Sequence, residues 1–459
     1  MTEPESLPPH ARAVVGAEAL ERFAFHGLCA VLALYLNEHL LYAEREARGV
    51  THLFLAAAYL APLAGRVLAA RLGLVRTVAW ASALHLAGLV LLAAVESRAG
   101  LALGLALVAA GAGAAKPATS ALLGERLRGG RDRAARVNAA LYRAVNGASL
   151  AAKLGVPIVL VAWGPRAAFA TAAAALAAGI LVARPARAGL GAAKAPPRDP
   201  HGFLRVIARA VSRLGMGRPG ERVLDHALDA HPPEAVEGAR AVLRLAPVFA
   251  ALTLFWALFD QRVSAWVFQA RQLDLTLFGL VLSPAQLQAL EPLLVVVLVP
   301  LLGRVVFPAL ERRGIALPPL RKVSAGLFAA AAAFVAAAVL QHVVDAGRVP
   351  HALWQVPQYV LLALGEVLVS VTGLELAYAQ APRAMRGTIM SIGFLTVFAG
   401  NLLTAAVGRL FRLDGPRWYW AFAVLGVAGA VAFRWATRRW GVAWSESDET
   451  DESCEPAAG

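Results

Sequence analysis

The sequence has 459 residues, of which 59% are apolar and 16% are charged, and its mean hydropathy is +0.60. These values exclude an ordinary soluble globular protein and indicate a membrane protein with many crossings. The net charge of +14 could suggest a nucleic-acid partner, but the sequence has no basic patch interleaved with aromatic residues. We therefore expect no nucleic-acid binding.

Apolar stretches of about 20 residues, enough to cross a bilayer as a helix, recur along the chain. Their predicted starts lie near residues 12, 51, 76, 100, 137, 166, 242, 284, 322, 351, 388 and 417. The sequence thus predicts an all-α membrane protein with twelve transmembrane helices. The first stretch lacks the short apolar core and small-residue cleavage site of a signal peptide, so we expect it to be retained.

The long connection at 184–241 separates six predicted spans from six. The predicted domains are an N-terminal bundle (1–183), a cytoplasmic linker (184–241), a C-terminal bundle (242–440) and an acidic cytoplasmic tail (441–459). Lys and Arg concentrate in the connections after even-numbered spans, which predicts that these loops and both termini are cytoplasmic. Residues 203–214 form a basic amphipathic pattern, which suits either a helix on the inner leaflet or a cytoplasmic helix covering the bundle.

The first span carries Glu18, Glu21 and Arg22 within EALERFAFHGLCAVLALYL, and His26 continues their helical face. A charge at the centre of a bilayer helix costs about 2.5 to 3.5 kcal/mol. Such a cluster persists when its charges are paired and face protein or water. The sequence therefore predicts an ionisable site inside the membrane, with a permanent Arg22–Glu21 ion pair as the structural alternative for Arg22.

The fourth and fifth spans add further polar residues. GAGAAKP at 111–117 lacks the ending of a phosphate-binding loop and lies inside an apolar span, so we reject it as a nucleotide site. In the fifth span, Tyr142, Asn146 and Lys153 follow one helical face. The sequence shows no paired metal-ligand spacing and no catalytic motif, so we expect neither a metal nor an enzyme.

Helical rise places Arg22 and Lys116 at nearly the same depth, about 12 to 15 Å from the cytoplasmic side. Glu375, in the tenth span, lies about 9 Å from that side in the other half. Cations on one wall and a carboxylate on the other suit a zwitterion such as a peptide or an amino acid. Tyr142 and Asn146 could then bond a peptide backbone.

Several of these segments resemble the proton-coupled oligopeptide transporters, a branch of the major facilitator superfamily. The first span is similar to the ExxERFxYYG signature, Lys116-Pro117 to the GxGxxKP segment, and LYRAVNGASL (141–150) to FYxxINxGSL. FWALFDQRVSAW (255–266) and the block from WQVPQYV to AYAQAP (354–382) are long and specific. These two blocks are closest to the pattern of animal-type di- and tripeptide transporters.

The resemblance implies two pseudo-symmetric six-helix bundles and assigns roles to individual residues. His52 and Asp260 occupy the positions of an outer proton site, although His52 could instead be a hydrogen-bonded interface histidine. Glu18 and Glu21 match the acidic pair linked to inward proton release, which Glu375 could share. Arg244 matches an arginine that opens the seventh helix, and Trp256 matches a pocket aromatic residue.

Two of the chain's departures from the family pattern affect the predicted site. Phe25 and His26 stand where the family has paired tyrosines, which removes one hydroxyl from the pocket and adds a titratable ring. Lys153 and Glu291 carry opposite charges where the family tends to be neutral, on helices that line the interface between the halves. We predict that they form a gating ion pair; the alternative is separate exposure to a water-filled cavity.

The sequence thus predicts a symporter that imports di- and tripeptides by alternating access across a plasma membrane, most simply a bacterial inner membrane. Its expected partners are a small peptide and the lipid bilayer, with protons as coupling ions, no cofactor, and a monomer as the functional unit. Two alternatives remain open. One is proton-coupled import of another small anionic or zwitterionic metabolite, and the other is a transporter-like receptor that no longer cycles.

Overall fold

The computed structural model describes residues 9–126, 131–188, 200–213, 222–315, 317–380 and 385–439. Apart from one short hairpin, the regular elements in these ranges are helical. The acidic tail predicted at 441–459 lies outside the described residues.

The first half of the chain forms five long helices. They are α1 (Pro9–Leu34), α2 (Glu44–Leu72), α3 (Leu74–Ala94), α4 (Arg98–Arg126) and α5 (Arg131–Ala188). A π-helical turn at Tyr35–His39 extends α1. The 58-residue α5 is interrupted at Gly164, whose φ of +82° lies in the region that glycine adopts without a Cβ clash. Two helical segments therefore meet at this glycine.

The predicted amphipathic helix is present as α6 (Phe203–Ser212), followed by a 3₁₀ turn at Val223–Ala227. Its buried residues, Val206 and Ala210, pack within the connection itself, against apolar residues of the 3₁₀ turn and of the next helix. Arg209 and Arg213 form ion pairs with Asp229. Hydrogen bonds from Arg209 hold the pKa of Asp229 below its usual value. On its buried face, this helix therefore contacts protein.

The second half has shorter helices. They are α7 (Pro233–Arg244), α8 (Ala246–Phe259), α9 (Ala265–Ala270), α10 (Leu290–Leu301), α11 (Phe307–Arg312), α12 (Pro319–Asp345), α13 (Val356–Glu366), α14 (Thr372–Gln380), α15 (Arg386–Phe411) and α16 (Pro416–Arg439). The hairpin pairs β1 (Thr276–Leu277) with β2 (Leu280–Val281) in antiparallel register. A 3₁₀ turn at Asp260–Val263 separates α8 from α9, and π-helical turns at 302–306 and 367–371 interrupt two further spans.

Ten helices in the described ranges are long and apolar enough to cross a membrane. An eleventh crossing is present if α7 is taken together with the segment Ala246–Ala270, to which it is joined at a bend of 42°. The prediction of a helical protein with many membrane spans is confirmed. The number twelve is not established by these helices, because the long segment Arg136–Arg184 counts as one span despite the break at Gly164.

Two large apolar clusters form the core. One is built mainly from α1–α5 and includes Leu28 and Phe169, and the other is built from α8–α16 and includes Trp266 and Phe334. Helices α2 and α15 join the halves. At one end of α2, Arg48 Nη2 lies 2.9 Å from Asp414 Oδ1, just beyond α15. The chemistry described below lies between the two clusters.

Close approach of α3 and α4 depends on small residues, as is common between membrane helices. A Cβ added at Gly111 would lie 2.3 Å from the backbone nitrogen of His85 and 2.5 Å from the carbonyl oxygen of Ala81. Backbone atoms cannot move aside as a flexible side chain can. Gly111 therefore sets the spacing of these helices.

We predict that Gly111→Val lowers the stability of the detergent-solubilised protein by at least about 2 kcal/mol, because the added side chain forces α3 and α4 apart. Thermal unfolding followed by size-exclusion chromatography measures this loss. Gly155→Val is the matched control, since a Cβ there meets nothing within 4 Å. Equal stability of the two variants would contradict the packing argument.

Candidate functional site

A cluster of charges surrounds the middle of α1. Arg22 forms a hydrogen bond with Glu21 and an ion pair with Glu18, whose Oε1 lies 3.4 Å from Arg22 Nε. From α3, the buried His85 places Nδ1 3.5 Å from Glu21 Oε1. The Arg22–Glu21 ion pair, which was the alternative to a functional role for Arg22, is thus present. Helical spacing explains it, because positions 18, 21 and 22 share one face.

Lys116 of α4 completes this group, which we call the α1 cluster (Glu18, Glu21, Arg22, His85 and Lys116). Its Nζ lies 3.9 Å from the centre of the Tyr59 ring and 5.2 Å from that of Phe25. Such cation–π contacts stabilise an ammonium group. Lys116 also interacts electrostatically with Arg22 and both glutamates, but it forms no ion pair with a described residue. Its charge remains open to a further anionic partner.

A second group of charges lies between α5 and the second half. Lys153 and Glu291 form a buried hydrogen-bonded ion pair. Arg262 Nε lies 3.5 Å from Glu291 Oε2, and Arg262 Nη1 lies 2.9 Å from Asp260 Oδ1. The two cations therefore balance the two carboxylates. The predicted contact between Lys153 and Glu291 is present, while its role as a gate stays a prediction.

The same chain of contacts continues to α2. His52, with 1% of its surface exposed, places Nδ1 2.8 Å from Asn401 Oδ1 and Nε2 3.0 Å from Ser264 Oγ. Asn401 Nδ2 in turn donates a hydrogen bond of 2.7 Å to Asp260 Oδ2. His52 and Asp260 thus meet through an amide. We call the set His52, Asn401, Asp260, Arg262, Glu291 and Lys153 the polar chain.

Glu366, at the end of α13, is the acidic residue that the sequence interpretation missed. It lies within electrostatic range of Glu291 and Arg262. Its buried Oε2 has no hydrogen-bond partner among the described residues. Tyr142 of α5, 44% exposed, interacts electrostatically with Glu366 and Glu291. A carboxylate that forms no ion pair with a described residue thus lies on one half, within electrostatic range of a phenol on the other.

His26 and Trp256 lie beside these groups. The half-buried His26 interacts electrostatically with cations of both groups, Arg22 and Lys116 on one side and Lys153 on the other. Trp256 packs edge-on against Phe259 at 5.4 Å between ring centres. The Arg262 guanidinium lies 3.6 Å from the centre of that same Phe259 ring. Aromatic residues thus position the polar chain from the side of α8.

Besides His26, Trp256 and Tyr142, which lie beside the two groups, three predicted site residues lie outside both. Glu375 is exposed and forms no ion pair or hydrogen bond with a described residue. The side chain of Arg244 is 60% exposed and pairs with Glu237. The Asn146 amide donates a 2.9 Å hydrogen bond to the Tyr142 carbonyl on its own helix. The structure therefore gives Glu366 the interior position that the sequence interpretation assigned to Glu375.

The residues missed by the sequence interpretation are Asn401, Ser264, Arg262, His85 and Glu366. Arg262 and Glu366 were visible as ionisable residues inside apolar spans, which is itself a signal of function. Asn401 and Ser264 offered no comparable signal, because isolated small polar residues are common in membrane helices. Within the described ranges, no group of three or more His, Cys, Asp or Glu residues is placed to hold a metal ion.

At the end of the bundle predicted to face outward, arginine side chains join the two halves. Arg48, 6% exposed, is bonded to Asp414 and lies 4.3 Å from the centre of the Trp418 ring. Arg271 forms a hydrogen bond with Asn37. These arginines join the two halves at the side from which His52 would be reached.

The chain is similar in sequence to a known family of membrane transporters. The PTR2 model of the POT family matches residues 75–183 and 226–414. The chain is 31% identical over 360 residues to Peptide transporter 3 of Caenorhabditis elegans, covering 73% of this chain and 51% of that protein. It is 29% identical to human Solute carrier family 15 member 2, covering 79% of this chain and 53% of that protein. It thus spans about half the length of these curated relatives.

A solved structure of similar size gives a fuller match. The crystal structure of the POT family transporter PepTSo superposes with a TM-score of 0.88 at 31% identity, covering 95% of this chain and 99% of that one. A crystal structure of an auto-inhibited POT family peptide transporter gives the same TM-score and identity and covers 97% of that chain.

We predict that Lys153→Ala destabilises the protein by about 3 to 5 kcal/mol, because it leaves Glu291 buried with only the more distant Arg262 as a partner. The double change Lys153→Ala with Glu291→Ala should recover most of this loss, since Arg262 and Asp260 remain paired. Denaturant unfolding of the single and double variants measures the coupling. If the double variant loses as much as the sum of the single variants, the two residues are not energetically paired.

Proposed function

Since the chain belongs to the POT family, we propose that it is a proton-coupled symporter that imports di- and tripeptides by alternating access. The family match and the agreement with a solved POT transporter over nearly the whole chain support this proposal. The observation that carries it is a pair of ionisable groups that form no ion pair with a described residue, Lys116 on one half and Glu366 on the other. The termini of a peptide carry the two opposite charges that this pair requires.

We propose twelve crossings, in which α5 contributes two on either side of Gly164 and α7 is joined to α8 and α9 as one bent span. The six crossings of 1–183 and the six of 242–440 form the two bundles, connected by the linker 184–241 and followed by the tail 441–459. The distribution of Lys and Arg supports cytoplasmic termini. We place the protein in a plasma membrane, most simply a bacterial inner membrane, as a monomer.

Substrate binding follows from the charge arrangement. A peptide carboxylate would pair with Lys116 and the neighbouring Arg22, and the ammonium group would pair with Glu366. Tyr142 and Asn146 would contact the peptide backbone, with Trp256 and His26 lining the space beside it. We keep Glu375, exposed near the predicted cytoplasmic end, for proton exit rather than for the substrate.

Proton coupling uses both groups of charges. Protons enter at His52 and Asp260, where they weaken the contacts that join the halves at the outer end, and leave through Glu18, Glu21 or Glu375. Lys153 and Glu291 form a gate at the interface between the halves. Arg244 is a gate residue at the predicted cytoplasmic end of the bundle. A membrane potential supplies about 2.3 kcal/mol per charge per 100 mV, enough for about a fiftyfold accumulation of a neutral substrate.

One observation favours a second candidate, import of another small anionic or zwitterionic metabolite by the same machinery. Phe25 and His26 replace the paired tyrosines of the family pattern, and Phe25 packs its ring against Lys116 instead of offering a hydroxyl. A ligand with fewer backbone groups than a peptide would need fewer hydrogen bonds at this position.

Proteoliposomes with an imposed pH gradient, acidic outside, test the proposed function. We expect saturable uptake of labelled dialanine that collapses when a protonophore removes the gradient. Uptake of an acidic or zwitterionic metabolite without uptake of any dipeptide would favour the second candidate. Saturable binding without transport of either class would indicate a receptor.

We predict that Glu366→Gln raises the KM for dialanine at least about tenfold, since it removes the charge opposite the substrate ammonium. Competition by N-acetylated dialanine, which lacks that ammonium group, should be unchanged. Glu375→Gln is the matched control and should alter the KM less than about threefold. If Glu375→Gln has the larger effect, the assignment of the ammonium site to Glu366 is wrong.

A further inference from the structure

Asn401, in α15, contacts both ionisable groups of the outer proton site and has no exposed surface. Its Oδ1 lies 2.8 Å from His52 Nδ1. Its Nδ2 donates to Asp260 Oδ2 at 2.7 Å and to the carbonyl oxygen of Val397 at 3.0 Å. The carbonyl oxygen and both hydrogens of this amide are therefore engaged.

The hydrogen-bonding rules fix the orientation of this amide. A carboxylate and a backbone carbonyl only accept, so the Asn401 nitrogen must face Asp260 and Val397 and its oxygen must face His52. An amide oxygen accepts but does not donate. His52 Nδ1 must therefore carry a hydrogen whether the ring is neutral or protonated.

This constraint leaves Nε2 of His52 as the only ring atom that can gain or lose a proton. In the neutral ring, Nε2 accepts a hydrogen bond from the hydroxyl of Ser264 at 3.0 Å. When a proton binds the Nε2 lone pair, a new N–H bond forms and the Ser264 hydroxyl rotates to accept from it. No other bond is broken. Nε2 becomes the hydrogen-bond donor and the Ser264 oxygen becomes the acceptor, so the bound proton keeps a hydrogen-bond partner.

We propose that Asn401 is a positioning residue that selects Nε2 of His52 as the proton-binding atom and keeps the ring apart from Asp260. This inference rests on the proposed proton coupling. The charged groups that act on the ring are Asp260, which Arg262 pairs, and Arg48, one turn earlier on α2. With the amide in place, protonation of His52 acts electrostatically on Asp260. The two side chains form no direct salt bridge, which would retain the proton.

The placement also couples protonation to movement. His52 belongs to the first half of the chain, whereas Asn401, Asp260 and Ser264 belong to the second. Each change at Nε2 therefore alters a contact that crosses the interface between the halves. Asn401 ties this contact to the polar chain that ends at Lys153.

Two variants in proteoliposomes test the inference, with dialanine uptake measured at external pH 5 to 8 and counterflow measured without a gradient. In Asn401→Leu, which frees the ring tautomer, we expect gradient-driven uptake to fall at least about tenfold and to lose most of its pH dependence. Counterflow, which needs no net proton movement, should fall less than about threefold. Asn401→Asp places a carboxylate against Nδ1 and should move the pH midpoint upward by about one unit.

Thr404→Val is the matched control, because Thr404 lies on the same helix and donates a buried 2.9 Å hydrogen bond to the carbonyl of Ala257. It should leave the pH midpoint of the parent protein unchanged. An unchanged midpoint in Asn401→Asp, or equal losses of uptake and counterflow in folded Asn401→Leu, overturns the positioning role. A parent protein inactive in both assays overturns the proposed function, and the inference with it.

Discussion

Charges buried in a bilayer persist when opposite charges meet them, and the interior of this protein is organised by that requirement. In the polar chain, Lys153 and Arg262 offset Glu291 and Asp260 through direct contacts. In the α1 cluster, Arg22 is offset by two glutamates of its own helix. Direct contacts thus link each of these charges to a neighbour of opposite sign.

Some of this arrangement follows from local spacing. Positions 18, 21 and 22 share one helical face, so the α1 cluster is predictable from the 3.6-residue period. The membrane spans are predictable because hydrocarbon thickness dictates their length. The pairing of Lys153 with Glu291 was also predictable from the sequence, because two opposite charges that are costly to bury separately favour contact when they lie at similar depth.

The remaining features depend on contacts between distant parts of the chain. Asn401 and His52 meet across 349 positions, and nothing in the local pattern of α15 distinguishes this asparagine from one that bonds its own backbone. Glu366 and Glu375 lie on one broken span, and the intervening π-helical turn at 367–371 shifts the helical face between them. Depth alone therefore selected Glu375, which is exposed, because depth carries no information about rotation around the helix axis.

Glu366 has a consequence for the empty carrier. In the described residues of the two groups, the carboxylates are matched by cations, namely Glu18, Glu21, Asp260 and Glu291 by Arg22, Lys116, Arg262 and Lys153. When its carboxyl group is ionised, Glu366 therefore leaves about one surplus negative charge near the centre of the empty protein. A resting voltage that is negative inside pushes such a charge outward. In the proposed cycle, this voltage favours the return of the empty protein to its outward-open form. A zwitterionic substrate adds no net charge, so the loaded form becomes indifferent to the same field only when a bound proton neutralises the surplus.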